Sequence, residues 1–277
     1  MKAARAQTTE GRSELPGRPS SPNAPKVLEK ALRVLDLFVP ARPVWGASEI
    51  ARELSIPVPT AHRIIRSLES HGYLARSDTR WQLGVAAVDL GRRASASIDL
   101  RWTLRPALHQ LLSESGETVL LAVYDEGRRG VLCIDRFEAA HSLRLSIDIG
   151  RLTPLHAGAA SKALLAFLPE PLIEETLRSP LERFAPGTIC DPDELRAEIT
   201  RIQSSGWAFS REENNVGAWG MSAPVFAPGK QPMASIGIAA PIARYSPGSR
   251  RGLAAVVTSA ARMAETLLDA RAAHKQP

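Results

Sequence analysis

A chain of 277 residues is long for one domain and comfortable for two, and its 44% apolar and 23% charged residues allow a sizeable core, which excludes wholesale disorder. No apolar run approaches the roughly 20 residues of a membrane-spanning helix, and the N-terminus lacks the apolar stretch of a secretory signal, so a cytoplasmic protein without a membrane partner is expected. The formal charge of +6 is uneven: residues 1–84 carry 13 Lys/Arg against 8 Asp/Glu, and residues 85–277 carry 22 against 21. A positive excess gathered in one small module suits attraction to a phosphate backbone, or else a solvated basic tail.

Residues 1–24 are rich in Gly, Pro, Ser and charge, and are expected to form a disordered tail. From Lys26, the apolar residues Leu28, Ala31, Leu32, Leu35 and Phe38 recur at helical spacing until Pro40 and Pro43. A second helix is predicted over 47–54 and a third over 59–71, with Ala61, Ile64, Ile65 and Leu68 on its inner face and Gly72 after its end. The segment 73–84 alternates around Ser77-Asp78-Thr79 and reads as a short hairpin, or wing. Together, residues 25–84 read as a winged helix-turn-helix. A linker helix follows over 85–99, and residues 100–277 form the larger domain. There, helices are expected over 100–115, 158–167, 170–178, 191–205 and 249–273. Strands are expected over 118–124, 130–136, 142–147, 222–226 and 234–239. This order implies an α+β fold with a mostly antiparallel sheet.

Chemistry-bearing motifs are few. Cys133 and Cys190 are too few and too far apart for a disulfide framework, no His/Cys cluster has metal-ligand spacing, and no cofactor is expected. There is no nucleophile elbow, zinc-protease motif or phosphate-cradling loop, so the chain does not read as an enzyme. Glu212 and Glu213 are adjacent carboxylates, but sequence neighbours usually point apart, and one reads as a surface charge.

The run from Leu54 to Leu68 (LSIPVPTAHRIIRSL), followed by Gly72-Tyr-Leu and Trp81-Gln-Leu-Gly84, resembles the DNA-binding domain of the isocitrate lyase regulator (IclR) family. Two further matches keep the family's order and spacing: Pro154-Leu-His-Ala157 with Lys162-Ala-Leu-Leu-Ala166, and Gly206 to Glu213 with Gly217, Ala223-Pro-Val225 and Ile236 to Pro241. The resemblance implies a transcription regulator at the nucleoid, a GAF-like effector domain, a homodimer or homotetramer, and a palindromic or repeated operator. Val58 and Pro59 stand where the family has a polar pair. Ser210, Gly220, Gly237 and Ala239 occupy positions where relatives touch ligand through carboxylate, thiol or hydroxyl groups, which implies a roomier, less polar pocket.

With its apolar face turned inward, the third helix presents Thr60, Arg63, Arg66 and Ser67 to double-stranded DNA. Arg63 is the candidate for bidentate guanine contact and Thr60 for a phosphate or thymine methyl, while Arg66 attracts phosphate. His62 either reaches DNA or packs beside the wing. Arg76 and Arg80 are expected to touch the backbone or minor groove, with Trp81 packed against the third helix. In the larger domain, the amides around Gly158 enter a helix and could receive an anionic group. His156 either donates a hydrogen bond or fills space. Small residues at Ala157, Gly158, Gly220, Gly237 and Ala239 either admit a ligand or serve packing, and Trp219 and Met221 would suit an aromatic acid. The expected function is a repressor modulated by a small organic acid, with an activator of the same type as the first alternative and a small-molecule enzyme with an accessory DNA-binding domain as the second.

Overall fold

The computed structural model describes residues 25–39, 41–97, 100–141, 145, 147–226 and 231–274. The expected tail therefore lies outside the described residues. Helices α1 (Lys26–Asp36), α2 (Ala47–Glu53) and α3 (Val58–Ser70) are followed by the wing strands β1 (Leu74–Ser77) and β2 (Arg80–Leu83). Between α2 and α3 the chain turns through Ser55 in the left-handed region, and the Ile56 amide closes back onto the Ala51 carbonyl at 2.9 Å. Pro57 and Pro59 then start α3, where their missing N–H groups break no helical bond. Val34, Phe38, Ile50, Ile64, Ile65, Leu74 and the two tryptophans Trp45 and Trp81 make one core. Trp45 and Trp81 exchange both backbone N–H···O bonds at 2.9 Å, so the segment before α2 extends the wing as a third short rung. Gly84 permits the chain to leave the wing, because a Cβ there would lie 2.2 Å from the Gly72 carbonyl oxygen.

The inner face of α1 differs from expectation. Val34 is its buried side chain, whereas Leu28 and Leu32, expected in the core, are exposed along with Val27. Helix α4 (Val85–Ser97) follows the wing, with Val85, Val88 and Leu90 also exposed; residues 98 and 99 of the expected linker lie outside the described residues.

The second domain is built on one antiparallel six-stranded sheet in the order β5-β4-β3-β8-β7-β6. Its strands are β3 (Thr118–Asp125), β4 (Gly130–Phe137), β5 (Leu152–Pro154), β6 (Ala208–Arg211), β7 (Ala218–Phe226) and β8 (Pro232–Pro241). Helices α5 (Leu100–Ser115) and α9 (Arg250–His274) cover one face, burying Leu104, Leu108, Val119, Leu121, Met221 and Val257. Helices α6 (Ala159–Leu165), α7 (Glu170–Arg178) and α8 (Pro192–Ser205) lie on the other, over Leu120, Ala122, Val131, Cys133 and Ala239. Both faces are covered, so β7 and β8 are buried almost throughout and lose the alternation that marks a half-exposed strand. For that reason both run longer than expected, and the four-residue β6 was not foreseen. Pro224 fits inside β7 because β6 pairs only as far as Ser222, leaving no partner on that edge to need its N–H. Of the strand expected over 142–147, residues 142–144 and 146 lie outside the described residues, while Leu145 and Ile147 belong to no strand. The edge position beside β4 is taken instead by β5, with Gly130 opposite Pro154.

Candidate functional site

The third helix turns two cations outward. Its apolar positions Ala61, Ile64 and Ile65 are buried, leaving His62, Arg63, Arg66 and Ser67 exposed and Thr60 half-buried. Neither Arg63 nor Arg66 has an ion-pair partner among the described residues. His62 meets Trp81 edge-on at 6.2 Å between ring centroids, so it packs beside the wing while keeping an exposed edge. Arg76 is exposed, donates to the Asp78 carbonyl at 3.2 Å and lies 5.8 Å from the Trp81 ring centroid. Trp81 itself is buried in the core that α3 shares.

Arg80 is placed differently from a free DNA contact. Its Nη2 meets Glu49 Oε2 at 2.5 Å, and the same oxygen takes Arg42 at 3.3 Å and the Gly46 amide at 2.9 Å. The Gly46 amide first, and then the Arg80 and Arg42 charges, hold the Glu49 carboxyl below its ordinary pKa. Arg80 thus ties the wing to the start of α2.

A cavity of about 110 Å³ opens on the sheet face beneath α6. Leu120, Val131, Leu145 and Ile147 form apolar wall, while Thr153, Ser161, Ser210, Ser222 and Asn214 bring polar atoms, with Arg151 and Asn215 among the lining side chains. Its size is of the order of the ~150 Å³ apolar cavity known to hold benzene.

Of the residues expected here, the cavity brings together Gly158, Ser210, Trp219, Gly220 and Ala239. Four others lie elsewhere. His156 turns its Nε2 to the Glu182 carbonyl at 2.9 Å and its ring to Phe184, and burial lowers its pKa. Ala157 is fully buried in the turn before α6. Met221 points to the α5/α9 side, because its strand neighbours Gly220 and Ser222 face the cavity. Gly237 is a packing glycine: a Cβ there would fall 2.0 Å from Ser222 Oγ. Trp219 touches the cavity, but its indole belongs to the far core, with ring centroids 5.5 Å from Tyr245 and 6.2 Å from Phe209.

The floor beside the cavity holds a buried ion network that sequence reasoning missed. Lys162, 1% exposed, donates to Glu213 Oε1 (2.6 Å), the Phe209 carbonyl (2.8 Å) and Glu198 Oε1 (3.1 Å). Arg201 in turn grips both Glu198 oxygens at 2.7 and 2.9 Å. Burial pushes the Glu213 carboxyl up against the opposing pull of Lys162, whereas in Glu198 the Arg201 and Lys162 bonds outweigh burial and lower it. The second Glu213 oxygen accepts the Gly158 amide at 2.8 Å, so one of the amides expected to receive an anion is engaged from within. Glu212 turns away through a left-handed backbone to accept the Gly217 amide. Gly158 has φ +92°, and a Cβ there would lie 2.3 Å from Asn214 Nδ2. Arg151, Asn214, Asn215 and Ser222 belong to no motif. The available signal was position, since Asn214 and Asn215 sit between the matched Glu213 and Gly217.

Comparison with known proteins follows this division. Residues 27–78 match the IclR helix-turn-helix domain, and residues 93–265 match the C-terminal domain of the bacterial transcriptional regulator IclR. The transcriptional repressor IclR of Escherichia coli strain K12 is 29% identical over 238 residues, covering 85% of this chain and 87% of that protein. The HTH-type transcriptional regulator KipR of Bacillus subtilis strain 168 is 32% identical over 228 residues, covering 81% and 89%. Among solved structures, an IclR homolog from Microbacterium hydrocarbonoxydans complexed with 4-hydroxybenzoate aligns with a TM-score of 0.76 at 26% identity, covering 88% of this chain and 99% of that one. A transcriptional regulator from Alicyclobacillus acidocaldarius shares the fold with a TM-score of 0.79 at 21% identity, over 88% and 99%.

Proposed function

Because the chain belongs to the IclR family of bacterial transcriptional regulators, we propose that it is a repressor whose operator binding responds to a small organic acid held in the cavity beneath α6. The observation that carries the DNA side is the outward face of α3, where Arg63 and Arg66 stand without carboxylate partners among the described residues, on a helix whose opposite face is fixed in the core. A guanidinium so presented suits the two acceptors of guanine in the major groove. Arg63 reads sequence, Thr60, Arg66 and Ser67 follow the backbone or a neighbouring base, and Arg76 reaches a phosphate from the wing. His62 supports the angle between wing and helix.

Repression is favoured by the name of the Escherichia coli relative, and an organic-acid effector by the 4-hydroxybenzoate bound to the Microbacterium homolog. The exposed apolar residues of α1 and α4, with Val85 at 81% and Val88 at 70%, support pairing with a second copy, as a dimer or a dimer of dimers. Two paired α3 helices would read a palindromic or repeated operator. Acting on the nucleoid, the protein works in the cytoplasm. An effector changes operator affinity only through unequal binding to two arrangements of that pair.

The experiment is selection of bound fragments from a genomic duplex pool with the full chain, repeated with Arg63→Ala and with added organic acids. An enriched operator, lost in the variant and depleted by one acid class, is expected. Enrichment unchanged in the variant would remove Arg63 from the interface, and no enrichment at all would remove the function.

A further inference from the structure

The charges around the cavity do not balance. In its floor two cations, Lys162 and Arg201, are tied to two anions, Glu213 and Glu198. Arg151 is an additional cation among the lining residues and is itself exposed. Its Nη1 and Nη2 both reach only the side-chain oxygen of Asn215, at 3.4 Å, and it has no carboxylate partner among the described residues. A guanidinium offers five donors in a planar fork that matches a carboxylate, and a single long amide contact leaves most of them unused.

A second polar group is unspent in the same cavity. Ser222 is 1% exposed, its Oγ lies over Gly237 on the cavity face, and it has no hydrogen-bond partner among the described residues. A buried hydroxyl without a partner is uncommon enough to require a cause. At the helix entrance the Gly158 amide is already occupied by Glu213.

We infer that the cavity takes a small hydroxy-monocarboxylate in one orientation: carboxylate on Arg151 and Asn215, apolar body against Leu120, Val131 and Ala239, and hydroxyl on Ser222. This rests on reading the cavity as the effector site and gives that site a polarity. Arg151 selects for the anion and Ser222 for the hydroxyl. Glu213 also lines the cavity, but its two oxygens are engaged by Lys162 and the Gly158 amide, so the Lys162–Glu213 pair serves as the floor that holds α6 in place.

The test is calorimetric titration of the full chain with four probes: benzoate, benzamide, 4-hydroxybenzoate and 4-hydroxybenzamide. Each acid is expected to bind at least about tenfold more tightly than its amide, as loss of a charged hydrogen-bonded contact implies. Arg151→Met keeps the apolar stem and is expected to erase that ratio. Ser222→Ala is expected to leave benzoate unchanged and to erase the preference for its hydroxylated form. Thermal melting checks that both variants fold. Equal binding of acids and amides, an acid preference that survives Arg151→Met, a hydroxyl preference that survives Ser222→Ala, or no binding of either acid overturns the assignment. Repeating the titrations with operator duplex separates the two readings. Acids that bind through Arg151 without changing DNA affinity would defeat the effector reading alone, whereas DNA release by other compounds while neither acid binds would defeat the site alone.

Discussion

In residues 26–97 the apolar side chains Val27, Leu28, Leu32, Val85 and Val88 stand in solvent on helix faces, and Arg63 and Arg66 are exposed with no ion-pair partner among the described residues. In residues 100–274 the sheet is covered on both faces, and a lysine is sunk to 1% exposure with three acceptors around its ammonium. The first module carries surfaces that other molecules would complete. The second encloses its own polar groups and keeps a cavity among them. That contrast suits a division of labour in which the head meets DNA and a second copy, while the body meets a small molecule.

The largest effect is expected in the body. Lys162→Met leaves Glu213 buried with no cation and should cost about 3–5 kcal/mol of unfolding free energy, read by denaturant titration; a loss near that of a surface pair, below about 1 kcal/mol, would show the network to be solvated. Next comes the head. Arg63→Ala should cost on the order of 1–3 kcal/mol in specific operator affinity with no change in melting temperature, measured by fluorescence anisotropy. Equal loss on specific and random duplex would demote Arg63 to a phosphate contact.

Replacing both Val85 and Val88 by Ser should leave the body's fold intact and weaken self-association at least about tenfold, or about 1.4 kcal/mol. Sedimentation that shows the same oligomer for both proteins would place the pairing surface elsewhere.

The smallest effect concerns His156. Burial favours its neutral form in the folded state, so its pKa lies below the ordinary 6.5. The folded protein therefore binds fewer protons than the unfolded chain between those two values. The contribution to stability is complete above about pH 6.5 and is lost as pH falls toward the lowered value. Melting temperatures from pH 7.5 to 5 should fall more steeply for the unchanged chain than for His156→Gln, and parallel slopes would contradict this.

The head was readable in the sequence because its signals are local. Ala61, Ile64, Ile65 and Leu68 at helical spacing settle which side of α3 turns outward, and Pro57, Gly72 and Gly84 mark the turns. Arg80 escaped that reading because its partner Glu49 lies 31 residues away on another helix. In the body, helices were placed closely, but the first half of β7 was not, since a strand covered on both faces shows no alternation, and β6, only four residues long, is too short for its alternation to stand out. Which of Glu212 and Glu213 turns inward was not legible, because nothing local reveals that Lys162, 51 residues before Glu213, pairs with it.

What the sequence determined by itself was the order of the helices, the family to which the chain is similar and the outward face of the third helix, carried by short local motifs. Only the tertiary structure decided the cavity. Arg151, Gly158, Ser210, Asn215 and Ser222 come from separate strands and loops, and they meet because β6, β7 and β8 pair in a register that long-range hydrogen bonds, rather than local propensity, select.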